Sequence, residues 1–193
     1  MASAKGRPKG DKRERTRAAL IEAAGQVIGE KGFERASLEE VAARAGMTRG
    51  AIYGNFKSKE ELLLAFVGTH WRPLAPPLKK GAPLKEQLRI IARATAQAAD
   101  ERRAIAVGAL SFQIYALTHE AVQREMAAGN VHIYRAIEKA LAEFIDPAEL
   151  PMPLGRFVRV LHALSDGLMF QRFLDPDQFP DAVFISAFEA LAP

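Results

Sequence analysis

The sequence predicts an all-α protein in two parts, an N-terminal three-helix helix-turn-helix domain and a larger C-terminal helical domain. Three observations predict it. Apolar residues recur at spacings of three and four from about residue 12 to the end, and strict two-residue alternation is almost absent. Capping boxes and stop glycines crowd into residues 32–61. Basic charge is concentrated in the first third: residues 1–59 hold 13 Lys and Arg against 7 Asp and Glu, and residues 60–193 hold 14 against 16.

The first helix is marked by Leu20, Ala24, Val27 and Ile28, which form one apolar stripe, and Gly32 is its stop. Phe33 follows, available to a core. "SLEE", Ser37 to Glu40, is a capping box, so a second helix starts at Ser37 or Leu38 with Leu38, Val41, Ala42 and Ala45 facing inward. Gly46 ends it in the left-handed conformation that glycine allows, and Met47 plugs the turn. Thr48 caps a short third helix whose Ala51, Ile52 and Phe56 turn one side inward. A second capping box, "SKEE" at Ser58 to Glu61, starts a fourth helix with Leu62, Leu63, Phe66 and Val67.

"RPLAPPLKKGAP", Arg72 to Pro83, carries four of the 11 prolines and ends that helix. Beyond it the pattern predicts helices over 84–98, 101–117, 119–145, 154–174 and 180–191, broken by "DPAELPMP" and "DPDQFP". The expected division is a basic flexible arm at 1–10, the helix-turn-helix domain at 11–59 and a regulatory domain for ligand binding and dimerisation at 60–193.

Several function classes are excluded or disfavoured by composition and motif. With no cysteine there are no disulfides, thiolate metal sites or thiol nucleophiles. No G-x-S-x-G, phosphate-binding glycine loop or paired-histidine metal motif occurs, so no enzyme, cofactor or metal is expected. His162 and Asp166 stand at i and i+4 with no third ligand in register, an ordinary surface pair. No apolar run approaches membrane-spanning length and no signal-peptide core is present, which predicts a cytoplasmic protein without a membrane partner.

A helix, a glycine turn and a short second helix is the arrangement that places a reading helix in the DNA major groove. The N-terminal basic run of Lys5, Arg7, Lys9, Lys12, Arg13, Arg15 and Arg17 fits a polyanion partner. Residues about 12–66 then closely resemble the DNA-binding domain of the TetR family of bacterial transcriptional regulators, through "AALIEAAGQVIGEKGFERASLEEVAARAGMTRGAIYGNFKSKEELLLAF". The "S-L-E-E-V-A-A-R-A-G-M" and "I-Y-x-N-F-K-S-K-E-E-L" runs carry most of that likeness. The remainder resembles the family in being all-helical.

On this reading Gly50 and Gly54 let the helix backbone come close to the groove wall, although each costs about 1 kcal/mol of helix stability against alanine. Ile52 and Phe56 anchor the helix, which leaves Thr48, Arg49, Tyr53 and Asn55 for the groove. Arg49 suits guanine, Asn55 suits adenine or a phosphate, and the Tyr53 hydroxyl suits a phosphate. Lys59, at the start of the next helix, combines charge with free amides that favour phosphate. The resemblance also implies phosphate contacts at Tyr53 and Lys59. The sequence departs from the family at 54, often bulky or aromatic there, and at 55, often histidine. Arg13 and Lys57 are further phosphate candidates, as are Ser37, foremost a cap, and Arg44, foremost a surface arginine.

In 154–174 one apolar set is Leu154, Phe157, Leu161, Leu164 and Leu168, and a second is Val160, Ala163, Gly167, Phe170 and Leu174. Two stripes need two partners, and a homodimer is the economical explanation. The resemblance implies the same, with two C-terminal helices pairing with their copies on a near-palindromic double-stranded DNA operator. It further implies repression relieved by a small-molecule effector. Phe66, His70, Trp71, Phe112, Gln113, Tyr115, Met126 and Phe170 mix aromatic and polar character and are the ligand candidates. Two rival expectations are a ligand-independent DNA-binding or partner-binding protein, and a helical small-molecule binder without operator activity.

Overall fold

The computed structural model describes residues 9–70 and 74–193, and no strand occurs among them. The helices are α1 (Lys9–Lys31), α2 (Leu38–Arg44), α3 (Arg49–Tyr53), α4 (Lys59–His70), α5 (Leu84–Arg102), α6 (Ala106–Thr118), α7 (Glu120–Leu141), α8 (Leu154–Leu174) and α9 (Asp181–Glu189). Two compact units emerge. Residues 9–70 with 104–122 form one, and residues 74–103 with 123–193 form the other. Residues 1–8 of the basic arm and Trp71 lie outside the described residues, as do the side chains of Lys9 and His70.

The first unit is α1 to α4 with α6, and α1 packs against α2, α4 and α6. The stripe read in α1 is buried throughout: Leu20, Ala24, Val27 and Ile28 meet Phe33, Val41, Ile52, Phe56, Leu63 and Phe66 in one core. The α1–α2 turn is fastened from α6. The Phe33 amide donates to Ser111 Oγ at 3.0 Å, and the Phe33 ring makes edge contacts with Phe112 at 5.2 Å and Tyr115 at 4.6 Å. Tyr115 in turn donates its hydroxyl to Glu60 Oε1 of α4 at 3.1 Å.

Both turn glycines behave as their positions require: Gly32 has φ 78° and Gly46 has φ 65°. The end of α2 is a Schellman motif, in which the Gly46 amide donates to Ala43 O at 3.0 Å and the Met47 amide to Ala42 O at 2.8 Å. The capping box at Ser37 is complete. The one expected at Ser58 is offset. Ser58 Oγ accepts from the Glu61 amide at 3.2 Å, but the Glu61 carboxylate accepts from the Lys57 amide at 2.7 Å, one residue earlier than the motif prescribes.

In the second unit α5 packs on α9 and α8. The α5 face of Leu84, Leu88, Ile91, Ala92 and Ala96 is buried with Phe157, Leu161, Phe184 and Phe188. Two buried polar side chains are satisfied locally: Thr95 donates to Ile91 O at 2.9 Å, and Gln87 accepts from the Lys79 amide at 3.1 Å and donates to Lys79 O and Phe144 O. Arg172 ties α8 to Asp100 at 2.8 Å and Asp181 at 2.7 Å.

Three boundaries moved. α5 continues past 98 because Ala98 and Ala99 are buried helix formers, and a 3₁₀ turn at Arg103–Ile105 then delays α6 to Ala106. α7 closes at Leu141, where the Phe144 and Ile145 amides both donate to Leu141 O at 3.0 Å and bring Ile145 into the core. On α8 the first apolar set is largely buried, while Ala163, Gly167, Phe170 and Leu174 of the second are exposed, Phe170 at 39% and Leu174 at 66%.

Candidate nucleic-acid interface

α3 is only five residues long, far too short to hold itself together in water. Its neighbours supply what it lacks. Thr48 Oγ1 accepts from the Ala51 amide at 3.2 Å at one end. At the other, Arg17 of α1 donates to Asn55 O at 3.1 Å while its guanidinium lies 4.2 Å from the centre of the Phe56 ring. Ile52 and Phe56 are buried at 0% and 1% and fix the inner face. Arg17 therefore serves α3 and not the basic arm to which the sequence assigned it.

The outer face presents Thr48, Arg49, Gly50, Tyr53 and Gly54, all exposed. Between it and α1 runs a concave strip of about 320 Å³ lined by Lys12, Arg13, Thr16, Gly50, Ala51, Gly54 and Asn55. The glycines are what keep it open. A Cβ on Gly50 would meet only Thr48 Oγ1, at 3.9 Å, whereas one on Gly54 would come within 3.1 Å of Gly50 O; neither glycine has positive φ. Small residues flanked by two cations make a shallow trough that suits close approach of an anionic backbone.

Other expected contacts are placed differently. Asn55 lines the trough, but its amide group is engaged in closing α3, with Nδ2 donating to Ala51 O at 2.8 Å and Oδ1 buried. Lys59 Nζ donates to Phe33 O and Glu34 O, both at 2.9 Å, and sits 4.4 Å over the Phe33 ring. It stitches α4 to the α1–α2 turn. Just ahead of α4 the Lys57 amide is taken by Glu61, and within its first turn the Glu61 amide is taken by Ser58 Oγ. Arg44 forms a bidentate pair with Glu30 at 2.8 Å, Ser37 is held in its capping box, and Lys57 is exposed.

A residue the sequence reading passed over sits in the middle of this face. Glu39 Oε1 accepts from the Tyr53 hydroxyl at 2.9 Å and lies 3.3 Å from Arg49 Nη2, and the Arg49 guanidinium is 5.5 Å from the centre of the Tyr53 ring. Its own amide, the Tyr53 hydroxyl and the Arg49 charge hold the Glu39 carboxyl below the usual carboxylate range. The only sequence signal was its place in the first turn of α2, ten residues before Arg49.

The ligand candidates divide between the units. Phe66 and Phe112, each 2% exposed, and half-buried Tyr115 are core contacts of the first unit, and Gln113 is exposed on α6. Their aromatic rings pack α4 and α6 on the α1–α2 turn. Phe170 is on the exposed face of α8 and Met126 is half-buried on α7. His162 Nδ1 and Asp166 Oδ2 are 3.6 Å apart, and no group of three metal-ligating side chains occurs among the described residues. No single helix among them is long and apolar enough to cross a membrane.

Comparison with known proteins agrees with this geometry. The sequence profile described as "Bacterial regulatory proteins, tetR family" matches residues 20–66, which span the stripe of α1 through α4. The transcriptional regulator SrpR of Pseudomonas putida is 25% identical over 169 residues, covering 86% of this chain and 78% of that protein. TtgR of the same species, also a transcriptional regulator, is 46% identical over 52 residues, 27% of this chain and 25% of its own. Among solved structures, NalD of Pseudomonas aeruginosa, titled the secondary repressor of the MexAB-OprM multidrug efflux pump, superposes with a TM-score of 0.63 at 25% identity, over 92% of this chain and 93% of that one.

Proposed function

Because this chain belongs to the tetR family of bacterial regulatory proteins and is a DNA-binding transcriptional regulator, we propose that it is a homodimeric repressor that holds a near-palindromic operator and releases it when a small-molecule effector binds. The observation that carries the DNA half of this reading is the outer face of α3. Arg49, Gly50 and Tyr53 are exposed beside a trough edged by Lys12 and Arg13, on a helix whose inner face is fully occupied. In this reading Arg49 reads a base, Thr48 meets a phosphate, the Tyr53 hydroxyl stays on Glu39, and Lys12 and Arg13 supply sequence-independent attraction.

The exposed second stripe of α8 supports the homodimer. Ala163, Gly167, Phe170 and Leu174 would bury on a copy of themselves together with Ala182 and Ser186, which are exposed on α9. Tight operator binding needs that pairing, since one short helix reads only one half-site. Likeness to NalD, a repressor by its title, favours repression over activation. Release by an effector requires only that it bind the DNA-incompetent shape better, and a tenfold loss of operator affinity needs about 1.4 kcal/mol of that preference.

The test is selection by the full chain from a pool of random duplexes of about 30 base pairs, with sedimentation of the resulting complex. The expected result is an enriched near-palindromic sequence bound by two chains. A sedimentation mass of one chain at micromolar concentration, with DNA bound at that stoichiometry, overturns the proposal.

A further inference from the structure

Glu39 puts a carboxylate on a surface that must meet a polyanion. Its side chain is 46% exposed, beside an Arg49 side chain 75% exposed, so both are open to a partner. Phosphate oxygens only accept hydrogen bonds, and Glu39 repels them. A base pair differs. In the major groove a G·C pair presents two guanine acceptors, N7 and O6, directly beside the N4 amine of cytosine, a donor. Arg49 Nη2 and Glu39 Oε1, 3.3 Å apart, form the reciprocal pattern, a donor beside an acceptor.

We propose, resting on the DNA-binding reading above, that Glu39 and Arg49 act as one unit that reads a single G·C pair in each half-site. Arg49 donates to guanine, and Glu39 accepts from the cytosine paired with it. The same carboxylate discriminates against phosphate and so against unrelated DNA. An A·T pair reverses the two central groups: the adenine amine falls opposite the guanidinium and the thymine oxygen opposite the carboxylate, so both contacts oppose binding. Tyr53 is the positioning residue for this unit. Its hydroxyl fixes Glu39 Oε1 at 2.9 Å while its ring underlies Arg49, which orients donor and acceptor before DNA arrives.

Glu39→Gln tests this without disturbing the core, because Gln keeps the shape but both donates and accepts. The full-length wild type, Glu39→Gln and Arg49→Ala are each used to select from the same random duplex pool, and their affinities for the wild-type selected duplex and for one unrelated duplex are measured. Glu39→Gln is expected to weaken the G·C preference at the same base pair at which Arg49→Ala loses it. It is also expected to bind the unrelated duplex roughly three- to fivefold tighter, the effect of removing one negative charge near phosphate in high dielectric. The inference is overturned if Glu39→Gln selects the wild-type sequence with an unchanged ratio of selected to unrelated affinity, or if the two variants relax different base pairs. A wild type that selects no sequence at all defeats the DNA-binding reading instead.

Discussion

The ring of Phe66 fills the space in front of Gly25: a Cβ built on Gly25 would lie 2.3 Å from Phe66 Cε2 and 2.9 Å from Cζ. α4 is thereby seated on α1 through a contact that only glycine permits. Gly108 of α6 flanks the same ring, where a Cβ would come within 3.9 Å of Phe66 Cε1 and 3.2 Å of Ile28 Cγ2. Gly25→Ala is expected to destabilise the protein by about 1–3 kcal/mol through overpacking. Adding Phe66→Leu is expected to recover part of the loss, so that the double variant falls short of the sum of the singles. Urea denaturation of the four proteins measures both.

The Glu60–Tyr115 contact gives a pH signature. Partial burial pushes the Glu60 carboxyl up, but its own amide, the hydroxyls of Ser58 and Tyr115 and the charge of Lys59 together bring it below its ordinary value. A folded pKa below the unfolded one means stability that is complete above the unfolded pKa and lost as pH falls through the folded pKa. Glu60→Gln is therefore expected to flatten the acid limb of stability against pH, seen in urea midpoints between about pH 3 and pH 7. An acid limb of unchanged slope would contradict it.

Much of the fold was legible because its signals are local. Ser37 with Glu40, the left-handed glycines at 32 and 46, and Thr48 each satisfy backbone groups a few residues away, so spacing alone reveals them. The inner faces of α1 and α3 followed from periodicity. The site was less legible where partners lie far apart in sequence. Arg17 reaches Asn55, Lys59 reaches Phe33, and Glu39 reaches Tyr53, across separations of 38, 26 and 14 residues. A cation near a predicted DNA face looks the same in sequence whether it meets a phosphate or a carbonyl. Tertiary packing gives Arg17 and Lys59 carbonyl and ring partners that spacing alone does not reveal.

Lys12 and Arg13 flank the trough beside α3, and their contribution should appear in salt dependence. Each of Lys12→Ala and Arg13→Ala is expected to weaken binding to all duplexes alike and to remove about 0.9 from the slope of log affinity against log salt. Titrations of one selected and one unrelated duplex at several salt concentrations measure this. A loss confined to the selected duplex would assign these residues to base reading.

The exposed stripe of α8 predicts the oligomeric state of variants. Phe170→Asp with Leu174→Asp is expected to convert a sedimenting dimer into a monomer with little change in helix content, since both positions are exposed in the single chain. Operator binding should fall with dimer content, whereas affinity of the isolated chain for unrelated DNA should change far less.

The division of α3 into an anchored side and an open side has an evolutionary consequence. Ile52 and Phe56 hold the helix, and Arg49, Gly50 and Tyr53 contribute nothing to the core. Substitution on the open side therefore draws little on folding stability, so successive changes there can be accepted one at a time without falling below the threshold for a folded chain. Duplicated copies of such a gene are free to drift to new operators while the scaffold beneath stays constant.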